Sequence, residues 1–395
     1  MTFSDELALR HRFLGQPAQV TSDVLAQELL ALGAISQGVA GDLAAQLDGV
    51  SLAEPMPLSH AGEGSVCFAS TPKYLAGLSS LPRPALLVVP AKEAAGIEQL
   101  YARHEIAAPV LLPTPFFEFC YGSIVQAFYP SRSSTFAGPD WDQGEPKPHW
   151  PQSCRVAPTA VVHATAQLGE GVQVGPGAVV SAHARLGQGL HLGPNSMVGP
   201  NVQIGEHTWI GHNVSLFRAQ VGAHCNLRSG CVVGERGYGV TLRPSAQSPG
   251  EGELQGYEIP QIGGVRLGDR VELSANCTVD RGALMDTVLG DDTHMDNFAQ
   301  IGHGARVGRR CSIGAYSALG GSAVVGDDCI IWSRSSIMQG LTLGAGSTLF
   351  AHSGMMKDYQ EPKQLLSGNP AIPAMQHGRQ VAYLAKATMK KPAKG

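Results

Sequence analysis

Aliphatic residues recur at every sixth position through the middle of this chain. From Val156 the step passes through Val162, Leu168, Val174, Val180, Leu186, Leu192, Val198, Ile204, Ile210 and Leu216. A second run takes in Leu289, Met295, Ile301, Val307, Ile313, Leu319, Val325, Ile331, Ile337, Leu343, Leu349 and Met355. A period of six matches neither a helix nor an alternating strand. It is the period of the hexapeptide parallel β-helix, in which each hexad supplies a short strand and a corner. Three hexads, about 18 residues, then close one triangular coil. The aliphatic first place points inward, and the small fifth place tucks in beside it. Glycine often takes the second place, as in Gly169, Gly175, Gly187, Gly193, Gly199, Gly205 and Gly211. There it is expected to free the corner for positive φ.

The period breaks at three places. Leu216 to Val221 is one residue short. Between Glu235 and Gly264 the hexads give way to ERGYGVTLRPSAQSPGEGELQGYEIPQIGG, too long for a plain connection and therefore functional or mobile. A shortened coil is expected at VDRGALMDTVLG (Val279–Gly290), after which the register resumes at Leu289.

The flanks follow other patterns. SDVLAQELLALG (Ser22–Gly33) predicts a helix capped by Ser22 and ended by Gly33. PALLVVPA (Pro84–Ala91) predicts a buried strand. TPFFEFCYGSIVQAFY (Thr114–Tyr129) predicts a helix with Thr114 as cap and proline in its first turn. The expected layout is an N-terminal extension (1–21), a small α/β domain (22–130), a Pro/Gly/Ser-rich linker (131–153), a left-handed parallel β-helix (154–358, with the 235–264 insertion) and a basic helical tail (359–395). The fold class is mainly β. The tail carries Lys363, Arg379, Lys386, Lys390, Lys391 and Lys394, with no acidic residue after Glu361.

Composition narrows the function. Charged residues are only 15% of the chain while 49 of its 395 residues are glycine, which suits a turn-dense repeat and not a disordered chain. A net charge of −4 argues against nucleic-acid binding. No apolar run reaches membrane-spanning length, and Met1–Arg10 lacks a signal-peptide layout, so a cytoplasmic protein without membrane insertion is expected. Five of eight cysteines (Cys225, Cys231, Cys277, Cys311 and Cys329) fall on the fifth place of a hexad, where they serve as small buried hydrophobes.

One imidazole stands out. His303, in MDNFAQIGHGARVG (Met295–Gly308), occupies the outward third place of its hexad, as does His212. Gly321 follows 18 residues later, one coil away and about 4.8 Å along the axis. Its unhindered N–H suits an oxyanion, and Asp296, about one hexad before the histidine, suits an orienting carboxylate. A base beside an oxyanion donor is the minimum kit for acyl transfer. Trimeric hexapeptide carbonic anhydrases instead bind zinc through an IGH motif and a second histidine about five residues on. That position is Gly308 here, so neither metal nor cofactor is expected, and His294 and His352 are the imidazoles a metal would have to use.

IPQIG (Ile259–Gly263), VDRGALMDT (Val279–Thr287) and MDNFAQIGHGARVG together resemble the signature blocks of the UDP-3-O-(3-hydroxyacyl)glucosamine N-acyltransferases of lipid A biosynthesis. The likeness continues into VCFASTPKYLAGL (Val66–Leu78). It implies His303 as catalytic base, Asp296 as its partner and Gly321 as the oxyanion amide. Asn297 and Gln300 would contact the sugar, and Phe68, Thr71 and Tyr74 the uridine. It further implies a homotrimer that moves a 3-hydroxyacyl chain from acyl carrier protein to the C2 amine of UDP-3-O-acylglucosamine, with the basic tail as the carrier's landing patch. Thr71 stands where the family usually has asparagine, Arg236 near a usual acidic residue, and Gly340 where it places a second histidine. Two alternatives remain: an acyltransferase for another nucleotide amino sugar, and a non-catalytic trimeric scaffold that binds nucleotide sugar.

Overall fold

A computed structural model describes residues 10, 11, 13, 14, 16–48, 50–62, 64–72, 75, 78, 80–130, 150–244 and 254–388. The chain divides into two compact units, one of residues 1–137 and 238–262, the other of residues 138–237 and 263–395.

The first unit is built on three parallel strands, Val66–Phe68, Leu86–Pro90 and Val110–Thr114, in that order. The middle strand, rich in Leu and Val, is buried from Leu86 to Val89, as expected of an apolar run covered on both faces. Helices α1 (Ser22–Ala31), α2 (Gln37–Gln46), α3 (Ala94–Arg103) and α4 (Phe117–Phe128) accompany it. The cap of α1 is Thr21, whose Oγ1 accepts from Val24 N (3.5 Å). Ser22, expected in that role, is buried and donates to Leu47 O (3.0 Å). Thr114 likewise ends a strand and does not cap α4, because its hydroxyl is drawn to Ala34 O (2.9 Å).

Part of the N-terminal extension belongs to this unit. Leu14 is buried, and Arg10 Nη1 donates to Glu54 Oε2 (3.0 Å) and Pro55 O (3.0 Å). Glu54 also meets His11 Nε2 (2.7 Å) and the Tyr129 hydroxyl. The described part of the 235–264 insertion is not a plain connection. It contributes an antiparallel hairpin, Val240–Pro244 with Leu254–Glu258, to the first unit. Tyr257 anchors it there, edge-on to Phe119 at 4.8 Å, with its hydroxyl donating to Gln126 Oε1 (3.2 Å).

The second unit is the parallel β-helix predicted from the period of six. Its three walls contain ten, nine and twelve strands, and the twelve-stranded wall ends in the short pair Leu365–Ser367 and Ile372–Pro373. In regular coils the register advances by 18 residues, as in Val161↔Val179↔Met197↔Ser215. Every first-place aliphatic from Val162 onward is buried. Each such side chain contributes about 1.5–3 kcal/mol by leaving water. The fifth-place cysteines are buried and free, with thiols turned to carbonyls of the neighbouring coil, for example Cys277 Sγ to Asp296 O (3.1 Å).

Two local expectations are corrected. The second-place glycines do not have positive φ; that conformation falls on the fourth place, at residues such as His183, Asn195, Phe298 and Tyr316. Glycine is needed at the second place because the next coil presses on it. A Cβ at Gly187 would lie 2.5 Å from Glu206 N, and one at Gly193 2.3 Å from Gly211 O. The coil at VDRGALMDTVLG is lengthened, not shortened, since Thr278 pairs with Gln300, 22 residues on. Its extra residues bring a buried ion pair with them, Arg266 Nε to Asp286 Oδ2 (2.7 Å).

A helix α5 (Ala374–Thr388) follows, leaving Met375, Val381, Tyr383 and Leu384 exposed. Lys390 and Lys391 lie outside the described residues.

Candidate active site

The corner between the ten- and nine-stranded walls carries the chemistry. Strand Gln300–Ile301 lies in the first of these walls and Arg306–Val307 in the second, so Gly302, His303 and Gly304 make the turn. Gly304 takes the positive φ (69°) that the fourth place requires. One coil on, Gly320, Gly321 and Ser322 repeat the turn, tied to it by Gly302 N to Leu319 O (2.8 Å) and Ser322 N to His303 O (2.8 Å).

The His303 ring lies on the bare face of Gly321. A Cβ at Gly321 would fall 2.5 Å from Nε2 and 2.6 Å from Cε1 of the imidazole. A Cβ at Gly302 would in turn fall 2.8 Å from Gly321 N. Two missing side chains thus let the imidazole Nε2 and the Gly321 amide approach the same small space. Among the described residues Gly321 N donates to no backbone carbonyl, while its own carbonyl accepts from Gly340 N (2.9 Å). A base and a free amide side by side can take a proton from a nucleophile and stabilise the oxyanion formed when it adds to a carbonyl.

His303 is half-buried, whereas His212 at the same place of its own hexad is exposed. Its Nδ1 is buried without a hydrogen-bond partner among the described residues. Desolvation holds the imidazole below its ordinary pKa, which keeps it neutral and able to accept a proton near neutrality.

Among the described residues Asp296 makes no hydrogen bond to His303 within one chain. Its Oδ1 accepts from Asn297 N (2.7 Å) and Asn297 Nδ2 (3.0 Å). Seven residues, one hexad plus one, separate it from His303, and so it follows the twelve-stranded wall, at the preceding corner of the triangle. Asn297 stays at that corner, with Oδ1 accepting from Ala275 N (3.1 Å). Gln300 lies on the His303 wall, its Nε2 3.4 Å from Asp280 Oδ2.

Phe68 and Thr71 belong to the first unit. Phe68 is half-buried with its ring T-shaped against Tyr121 (4.8 Å, 72°), and Thr71 is exposed. Tyr74 lies outside the described residues. Among the described residues the buried Tyr121 hydroxyl has no hydrogen-bond partner, a feature without a sequence signal because any tyrosine reads alike before its neighbours are known. Burial likewise sets Arg281 apart: desolvation pushes its guanidinium down to about 10, with Glu235 acting in the opposite direction. Among the described residues no group of three or more His, Cys, Asp or Glu converges as a metal site would require. No helix among them is long and apolar enough to cross a membrane.

Residues 286–321, which include this corner, match the bacterial transferase hexapeptide family (six repeats). The UDP-3-O-acylglucosamine N-acyltransferase of Bordetella pertussis is 40% identical over 247 residues, 62% of this chain and 61% of that protein. The protein of the same name from a Caulobacter species is 32% identical over 355 residues, 87% of this chain and 92% of that one. A solved UDP-N-acetylglucosamine acyltransferase from Campylobacter jejuni is 19% identical, with a TM-score of 0.41 over 61% of this chain and 86% of that one. With hexad walls, a transferase-repeat match across the His303 corner and identity along nearly the whole Caulobacter protein, the chain belongs to the UDP-3-O-acylglucosamine N-acyltransferase family.

Proposed function

We propose that this protein transfers a 3-hydroxyacyl chain from an acyl carrier protein thioester to the C2 amine of UDP-3-O-acylglucosamine, in the cytoplasm and as a homotrimer. The observation that carries this is the His303 imidazole resting on the bare face of Gly321, whose amide meets no backbone carbonyl among the described residues. As the amine adds to the thioester carbonyl, His303 Nε2 takes a proton from the nitrogen and Gly321 N–H donates to the oxyanion. Collapse breaks the carbon–sulfur bond, and the imidazolium returns its proton to the departing thiolate. Gln300 contacts the sugar from the His303 wall, and Asn297, at the preceding corner, does so from a neighbouring prism. Phe68, with Thr71 and Tyr74, holds the uracil, which suits an aromatic face because stacking tolerates variation in approach.

The trimer is supported by His303 itself. An outward imidazole with a buried, unpartnered Nδ1 calls for a neighbouring prism that shields it and completes its orientation. The basic residues of the tail, Arg379 and Lys386 among them, complement an acidic carrier.

Incubation with UDP-3-O-acylglucosamine and a panel of acyl carrier thioesters tests the assignment. The expected result is an amide product with the parent and a loss of about 10²–10⁴ in turnover with His303→Ala. Product from acyl-CoA alone, or from a different nucleotide amino sugar alone, would replace this donor or acceptor. Binding of the nucleotide sugar without turnover by any donor would leave a scaffold.

A further inference from the structure

The coil lengthened at VDRGALMDT leaves one carboxylate on the His303 corner that the mechanism above does not use. Val279 pairs with Ile301, and Asp280 N donates to Ile301 O (2.9 Å), so Asp280 sits beside Gly302 on the adjoining coil. Its side chain faces outward, with Oδ2 3.4 Å from Gln300 Nε2. The strand of chain at Gly237 closes over it. A Cβ there would lie 2.6 Å from Asp280 Oδ2, so any side chain at this place would press on the carboxylate. Asp286, on the same lengthened coil, is engaged by Arg266, and Asp296, at the preceding corner, by Asn297. Asp280 forms no ion pair among the described residues, and it is half-buried.

A half-buried carboxylate with one long amide contact is costly to keep unless a cation comes to it. Burial already pushes its carboxyl above the usual range, against a smaller opposite effect of Gln300. Resting on the acyltransferase reading, we propose that Asp280 is the receptor for the acceptor's C2 ammonium and sets the enzyme's preference for an amino sugar over its hydroxyl counterpart. The ammonium donates to Asp280 and leaves one proton on that carboxylate before attack, Gln300 holds the carboxylate's other side, and the neutral amine is presented next to the turn that bears His303; Asp280 gives up the proton to solvent as product leaves. A hydroxyl at C2 brings no charge and leaves the carboxylate uncompensated.

The experiment compares two ligands by calorimetry, at a pH below the amine's pKa. One is UDP-3-O-acylglucosamine; the other is UDP-3-O-acylglucose, which differs only in having a hydroxyl at C2. The parent should favour the amine by about 10- to 100-fold, the worth of a charge-assisted hydrogen bond. Asp280→Asn, isosteric and still able to accept from Gln300, should bind the amine that much more weakly and the hydroxyl ligand unchanged. His303→Ala should keep the parental preference. A preference retained in Asp280→Asn, or equal weakening toward both ligands, overturns the assignment while leaving the acyltransferase intact. A parent that binds neither ligand overturns the acyltransferase reading and this one with it.

Discussion

Replacing Gly321 by alanine should disable the base without harming the fold. Gly321 lies outside the positive-φ positions, so alanine meets no backbone strain there. The new Cβ would stand 2.5, 2.6 and 3.0 Å from Nε2, Cε1 and Cδ2 of His303. Ordinary contact needs about 3.5–4.0 Å, so the imidazole must retreat by about 1 Å. A displacement of that size costs about 10²-fold in turnover, or about 2.7 kcal/mol of barrier, with the amide that serves the oxyanion still in place. The Michaelis constant for the UDP-sugar should change little. The decisive assay is a double-mutant cycle: if Gly321→Ala acts only through the imidazole, it should cost nothing further in a His303→Ala background. Gly302→Ala is the contrast, since its Cβ would strike backbone at 2.8 Å (Gly321 N and Leu319 O) and should lower stability instead. Parental turnover in Gly321→Ala, or an additive loss in the double mutant, would refute the packing of base on glycine.

Because desolvation lowers the His303 pKa below its ordinary value, the parent's rate should fall only as pH drops through that lowered value, and His303→Ala should lack this limb in a pH–rate profile. The same shift affects stability: as pH falls from about 6.5 toward the lowered pKa the unfolded chain binds more protons, so the native state loses stability in that window and gains nothing above it. Asp286→Asn removes the carboxylate paired with the buried Arg266 guanidinium and should cost about 3–5 kcal/mol in denaturant unfolding; a cost near zero would mean the pair is solvated. Phe68→Leu should weaken UDP-sugar binding by about 1–3 kcal/mol with little change in thermal midpoint, and unchanged affinity would return Phe68 to packing against Tyr121.

The walls of the β-helix were legible from the chain alone because each hexad meets the same requirement: one aliphatic residue inward and one small residue behind it. Val162, Ile301 and Met355 are buried for the same reason, and so are the cysteines at the fifth place. The outward place of His303 and its separation from Gly321 by one coil also follow from that count. Other features depend on neighbours that are distant in sequence. Whether Thr21 or Ser22 caps α1 is decided by Leu47 O, and whether Thr114 caps α4 by Ala34 O. The need for glycine at Gly187 comes from Glu206 in the next coil, not from its own φ. The hairpin of the insertion joins the first unit through Phe119 and Gln126, more than a hundred residues earlier. Asp296 and Asp280 show the same division at the site. Both are acidic residues in signature blocks, yet one is bound to its neighbour at another corner while the other lies beside the turn of the base. Local periodicity specifies which side chains enter the core, because burial repeats with the coil; which polar groups remain available for chemistry is set by how successive coils stack upon one another.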